Sequence, residues 1–234
     1  MSTIFMNKKL LVGVVFALCL VALFTAPGKA QQREPELWLS WRAQTYTPPG
    51  FVGKALPTTN TIIIASADLV DGGKIANLSK QTTYWYLNDN LLQGGIGIQR
   101  VSLRAIDALP GTTLDLRIEL PNYHGGTITK TVTIPVVKPE VAIVSKVGGV
   151  FSGASVEVGS LSYFFNISKP TDLSYLWNVN GDAAKASEDP TRLVVNLPPE
   201  TPSGFGLDIE LVAKNPVAEL IETGLASLKL THVR

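Results

Sequence analysis

Cysteine occurs once, at Cys19, inside an apolar run near the N-terminus. Residues 31–234 therefore hold neither a disulfide framework nor a thiolate for catalysis or zinc. Leu18, not a small residue, directly precedes Cys19, so the thiol reads as apolar filler rather than as a lipid-attachment site. Histidine occurs twice, at His124 and His232, and neither has a partner at the spacing of a hydrolytic triad or a zinc site. Basic clusters are also missing. Without Lys8, Lys9 and Lys29, residues 31–234 carry 17 basic against 19 acidic side chains. That balance excludes a backbone-driven nucleic-acid interface and a polybasic membrane patch. Gly94-Gly95-Ile96-Gly97 lacks the dinucleotide fingerprint, and no Lys-Ser/Thr follows it. The composition implies no cofactor and no reaction centre.

One long hydrophobic run is present. Lys8 and Lys9 precede fifteen apolar residues, Leu10 to Phe24, and Thr25-Ala26-Pro27-Gly28-Lys29-Ala30 ends them. A positive start, a short apolar core and small residues at the exit read as an export signal over residues 1–30. The same segment also reads as a retained anchor. Extended to Ala26 as a helix it spans about 25 Å at 1.5 Å per residue, near the short limit for a hydrocarbon layer of roughly 30 Å. In that case residues 10–26 contact the membrane. Both readings place residues 31–234 outside the cytoplasm, in the periplasm, in the extracellular space or on a membrane surface.

A pattern used twice organises the remainder. Trp85-Tyr86-Leu87-Asn88-Asp89 returns as Trp177-Asn178-Val179-Asn180-Gly181, and Gly111-x-x-Leu114-Asp115-Leu116 returns as Gly204-x-x-Leu207-Asp208-Ile209. The offsets are 92 and 93 residues, so the spacing inside each unit is kept to within one. The segments between these marks read as strands. Leu114, Leu116, Ile118 and Leu120 alternate with Asp115, Arg117 and Glu119, and Thr61–Ala67, Gln81–Leu87, Val101–Ala105 and Thr127–Val137 have similar patterns. In the second unit the strands are Val141–Lys146, Ser155–Ser168, Leu173–Val179, Thr191–Leu197, Leu207–Ala213 and Leu225–Val233. Asp71-Gly72-Gly73, Gly94-Gly95, Leu109-Pro110-Gly111 and Gly125-Gly126 read as turns. Short strands broken every eight to twelve residues argue an all-β chain of two tandem immunoglobulin-like β-sandwiches, residues 31–137 and 138–234, after an N-terminal hydrophobic helix. Val136-Val137-Lys138-Pro139-Glu140 leaves almost no linker between them.

Tyr175-Leu176-Trp177-Asn178-Val179-Asn180-Gly181-Asp182 resembles the strand-and-turn signature of PKD-type immunoglobulin-like modules. Tyr84-Trp85-Tyr86-Leu87-Asn88-Asp89 resembles it more loosely, with tyrosine and tryptophan adjacent. Both depart from the family at the Gly-Asp-Gly turn, and Leu87 and Val179 stand where an aromatic is usual. The resemblance implies spacer or binding modules of bacterial envelope and surface proteins.

The candidate contact surface is Leu37–Phe51, where Trp38, Trp41, Tyr46 and Phe51 cluster beside Pro48-Pro49-Gly50. Such rings serve a glycan or a surface protein, or they seal the rim of a small core. Trp38 and Trp41 have opposite parity, so a regular strand cannot bury both. Asp68, Asp71, Asn88, Asp89 and Asn90, and separately Asp182 and Asp189, are oxygen donors that fit turns as well as calcium, without EF-hand spacing. Asp115 and Asp208 read as solvated strand faces. Asn77-Leu78-Ser79 and Asn166-Ile167-Ser168 fit the glycosylation pattern. The expected role is a non-catalytic binding or spacer module. The alternatives are a structural subunit of a larger envelope assembly and, least favoured, a glycan-active enzyme using converging carboxylates.

Overall fold

The computed structural model describes residues 34–218 and 222–234. The expected signal or anchor helix lies outside the described residues. Among the described residues no helix is long and apolar enough to cross a membrane.

The first unit contains eight strands: β1 (Glu36–Ala43), β2 (Ile62–Asp71), β3 (Lys74–Ile75), β4 (Thr82–Leu87), β5 (Asn90–Ile96), β6 (Arg100–Arg104), β7 (Thr113–Tyr123) and β8 (Gly126–Pro135). In one sheet β2 is flanked by β1, with β3 and β6 sharing its other side, and the facing sheet runs β5-β4-β7-β8. Alternation does what the sequence pattern requires. Leu114, Leu116, Ile118 and Leu120 are buried along β7, while Asp115 and Arg117 stand on its outer face. They meet Ile63, Leu69, Trp85 and Ile134 in a single core.

The second unit contains β9 (Glu140–Ser145), β10 (Val150–Phe151), β11 (Ser155–Tyr163), β12 (Ser174–Val179), β13 (Asp182–Ala184), β14 (Arg192–Asn196), β15 (Gly206–Asn215) and β16 (Glu222–His232), with a 3₁₀ turn at Pro170–Asp172. One sheet is β14-β11-β9 and the other β10-β16-β15-β12-β13. Only the short β10–β16 pair is parallel among the described strands. Phe165, Trp177, Leu193, Ile209 and Leu211 form a separate core. The chain is thus all-β, two tandem immunoglobulin-like sandwiches.

The sequence repeat is a structural repeat. The Trp85 indole N–H donates to the Ile98 carbonyl at 2.9 Å, and that of Trp177 to the Pro190 carbonyl at 3.1 Å, thirteen residues on in both units. Asn88 and Asn180 both adopt positive φ, 47° and 50°. Each exchanges a reciprocal pair of bonds with its aspartate. Asn88 N–H donates to the Asp115 carbonyl and Asp115 N–H to Asn88 Oδ1, and Asn180 and Asp208 repeat the pair. The recurrence of asparagine is therefore backbone chemistry, because its short side chain tolerates the left-handed region and accepts locally.

Three strand readings need correction. Gly94-Gly95 is not a turn. Both residues lie in β5, where Leu92 forms a bulge opposite Trp85 and Tyr86. A Cβ on Gly94 would lie 2.5 Å from the exposed Tyr84 ring, which would have to shift to admit it. The strand expected over Ser155–Ser168 stops at Tyr163, because Phe164 turns the chain with φ 63°. β3, β5, β10 and β13 carry no clear signal in the pattern, being two or three residues long or, in β5, rich in glycine.

Candidate functional site

The aromatic segment divides into two parts. β1 pairs with β2 in unbroken register, so its side chains alternate strictly. Leu37, Leu39, Trp41 and Ala43 face the core, and Trp41 is half-buried against it. Lys54 Nζ lies 3.6 Å from the centre of the Trp41 ring, a cation–π contact. Burial holds the Lys54 ammonium below its ordinary range. Trp38 has the other parity and is 57% exposed. Parity thus resolves by exposing one ring, without a bulge.

Tyr46 and Phe51 meet the second unit. Tyr46 N–H donates to the Phe165 carbonyl at 2.8 Å, and Phe164 N–H donates to the Tyr46 carbonyl at 2.7 Å. The Phe51 ring stands edge-on to Tyr163 and Phe164, each at 5.8 Å between centres. The four candidate residues therefore do not form one patch. Trp38 is the most exposed of the four rings, Trp41 packs against the core, and Tyr46 and Phe51, the latter 37% exposed, belong to the junction between the units.

Next to that junction lies a cleft of about 920 Å³, lined by residues of both units that include Gln44, Asn60, Arg104, Asp172 and Glu222. Its floor is a polar cluster that no spacing argument reveals. Glu222 is buried and accepts from Thr58, Asn166 and Asn215. Asn166 is the residue of the second glycosylation pattern. Its amide nitrogen already donates to the Thr58 hydroxyl and the Thr59 carbonyl, each at 3.1 Å, so this acceptor is engaged in the folded chain. Asn77 is exposed, and its Oδ1 accepts from Ser79 N–H at 2.9 Å.

A second polar group joins residues far apart in sequence. His124 Nε2 lies 2.8 Å from Asp71 Oδ2, and Tyr123 Oη donates to the same oxygen at 2.9 Å. His124 thus has a carboxylate partner 53 residues away, which sequence spacing hides. Both donors converge on Asp71, with the tyrosine hydroxyl on the carboxylate and not on the imidazole. The arrangement ties the β7–β8 turn to the end of β2. The His124 hydrogen bond, followed by that from Tyr123, holds the Asp71 carboxyl below its ordinary value. A depressed folded value means that the ionised group stabilises the fold above the unfolded carboxyl range, near 3.9, and that this is lost as pH falls through the lower folded value. A carboxyl titration followed by NMR is expected to place the Asp71 midpoint below the ordinary value, and Tyr123→Phe is expected to raise it. An ordinary midpoint in the parent chain would remove this account.

Several of the turn oxygens considered for calcium have other partners. Asp89 meets Arg117 at 3.2 Å. Asp189 accepts from the N–H and hydroxyl of Thr191, and those bonds hold its carboxyl below the usual range. Asp115 accepts from the Thr133 hydroxyl at 2.8 Å, and Asp208 lies 3.4 Å from Lys229 Nζ. Among the described residues no three His, Cys, Asp or Glu side chains gather in a way that could hold a metal ion. The outer edge of β5 carries no local sequence signal. Among the described strands β5 pairs with β4 alone, and Leu91 and Ile96 are 60% and 70% exposed.

No family model matches the chain, and no curated protein sequence does. Among solved structures, the chain is similar to the fibronectin(III)-like modules of Clostridium thermocellum CbhA. That match has 14% identity and a TM-score of 0.27 and covers 81% of this chain and 95% of the other. The three N-terminal domains of the bacteriophage RB49 highly immunogenic outer capsid protein match at 9% identity and a TM-score of 0.32, covering 85% and 70%. A 1.5-MDa bacterial ice-binding adhesin matches at 10% identity and a TM-score of 0.33, covering 86% and 65%.

Proposed function

We propose that the chain is a non-catalytic, exported or membrane-anchored spacer or binding module, with residues 31–137 and 138–234 as its two sandwiches. One observation carries the reading: the polar side chains at the floor of the large cleft are bonded to one another. A catalytic base needs a lone pair directed at a substrate proton, whereas the Glu222 oxygens accept from Thr58, Asn166 and Asn215. The cluster serves as a joint. Trp38, exposed on β1, remains the ring available to a glycan or a surface protein.

The second reading, a structural subunit of an envelope assembly, is favoured by β5. An uncovered edge with exposed apolar residues is a template for strand addition, and β5 contains no charged residue and no proline.

Crosslinking in the native envelope followed by recovery of the full chain tests these readings. Three forms are compared: parent, Trp38→Ala, and Leu91→Lys with Ile96→Lys. A partner lost only with Trp38→Ala is expected if the chain binds through β1. A stoichiometric assembly lost only with the β5 changes supports the structural role, and recovery without a partner supports the spacer. Turnover of a cell-wall or glycan polymer, abolished by one Asp or Glu substitution, would overturn the non-catalytic reading.

A further inference from the structure

The two sandwiches are joined by more than the short peptide between them. Thr58 and Thr61 are fully buried in the segment before β2, and Asn215 and Glu222 are buried at the facing ends of β15 and β16. Thr58 Oγ1 donates to Glu222 Oε1 at 3.0 Å across the junction. Asn166 lies between the two groups. Its Oδ1 accepts from Thr61 Oγ1 at 2.8 Å, and its Nδ2 donates to Glu222 Oε1 at 2.5 Å and to Thr58 Oγ1 at 3.1 Å. Glu222 Oε2 accepts from Asn215 Nδ2 at 2.8 Å and from Asn166 N–H at 3.1 Å. The group is fully paired, with both carboxylate oxygens and both ends of the Asn166 amide in use.

Two further contacts flank it. Tyr46 exchanges backbone hydrogen bonds with Phe164 and Phe165 in the manner of adjacent strands. Phe164 holds φ 63°, a backbone region that a bulky side chain enters only when its surroundings dictate it. Its N–H donates to Tyr46, and its ring meets Phe51, so the first unit supplies the contacts that hold this turn.

We propose that this junction is a lock that fixes the mutual orientation of the two sandwiches and couples their unfolding. Neighbouring domains in one chain ordinarily move relative to each other unless their interface is large and apolar. Here the restraint is directional. A hinge motion would separate Thr58 and Thr61 from Asn166 and Glu222 and leave several buried donors without acceptors, which a desolvated site tolerates poorly. The lock is a property of the fold and does not depend on the spacer reading.

The test uses the full chain with Cys19→Ser, so that Lys74→Cys and Lys185→Cys, exposed positions on the two units, carry the only thiols. Spin labels at these sites report the distance between the units, and calorimetry reports how they unfold. The expected parent result is one narrow distance distribution and one unfolding transition. Asn166→Ala is expected to broaden the distribution by about twofold or more and to split the transition in two. Glu222→Gln and Thr61→Val, close in shape to the parent residues, test the same bonds should Asn166→Ala fail to fold. Near-ultraviolet circular dichroism shows that both cores survive. A broad distribution or two transitions in the parent would overturn the lock, as would parent-like widths in the folded variants.

Discussion

Replacement of Trp85 or of Trp177 by alanine is expected to lower the unfolding free energy by about 3–5 kcal/mol in each case. Both rings are essentially inaccessible to solvent and are the largest side chains of their cores. Two effects add. The missing indole leaves a cavity that neighbouring strands cannot close, since each is held by its own ladder. The carbonyl of Ile98 or Pro190 also loses its donor. In the first unit the Thr83 hydroxyl still donates to Ile98 at 2.8 Å, which keeps that carbonyl partly satisfied. Among the described residues the Pro190 carbonyl has no such second donor. At equal cavity size the Trp177 variant is therefore expected to be the more damaged. Domains with typical stabilities of about 5–15 kcal/mol would retain little margin. Urea unfolding followed by far-ultraviolet circular dichroism checks both values. A loss below about 1 kcal/mol in either variant would place that ring outside its core.

The tryptophans were legible because a two-residue alternation and a repeated spacing are properties of the chain itself. The same holds for β7, whose buried and exposed residues follow from sequence parity alone. What stayed hidden depends on pairs brought together only by folding. Thr58 and Glu222 are 164 residues apart, and Asp71 and His124 are 53 apart. No local pattern marks either pair, since threonine, asparagine and glutamate are ordinary in turns and on strand faces. The aromatic segment shows an intermediate case. The parity of its two tryptophans leaves either one exposed ring or a bulged strand, and β1 keeps unbroken register and exposes Trp38. The opposing surface for Tyr46 and Phe51 comes from Tyr163 to Phe165, whose left-handed turn at Phe164 breaks a stretch that reads as continuous strand. For β5 the obstacle was Gly94-Gly95, which reads as a turn until Tyr84 is seen lying across the strand.

Gly97→Ala is expected to destabilise the first unit by about 2–4 kcal/mol, from two causes that separate experimentally. Gly97 has φ +73°, and a Cβ built there lies 2.8 Å from the Ser79 carbonyl oxygen, a backbone atom that cannot rotate away. Its N–H donates to the Gln81 carbonyl at 2.9 Å, which fixes the approach of the two segments. Relief of the clash would move the chain next to Ile98, whose carbonyl receives both Trp85 and Thr83. The perturbation would thus reach the core through the indole hydrogen bond. Two other glycines separate the contributions. Gly148 has open space where a Cβ would stand and no left-handed φ, so Gly148→Ala is expected to change stability by less than about 0.5 kcal/mol. Gly181 has the same open space but φ +89°, so Gly181→Ala carries the backbone penalty alone, about 1–2 kcal/mol. The expected order of loss is Gly97, then Gly181, then Gly148, measured by urea unfolding of each variant. Tryptophan fluorescence adds a second check. Gly97→Ala is expected to alter the emission of the folded protein through Trp85, while Gly181→Ala leaves that indole undisturbed. If Gly97→Ala cost no more than Gly181→Ala, the close approach of Ser79 would contribute nothing to the fold.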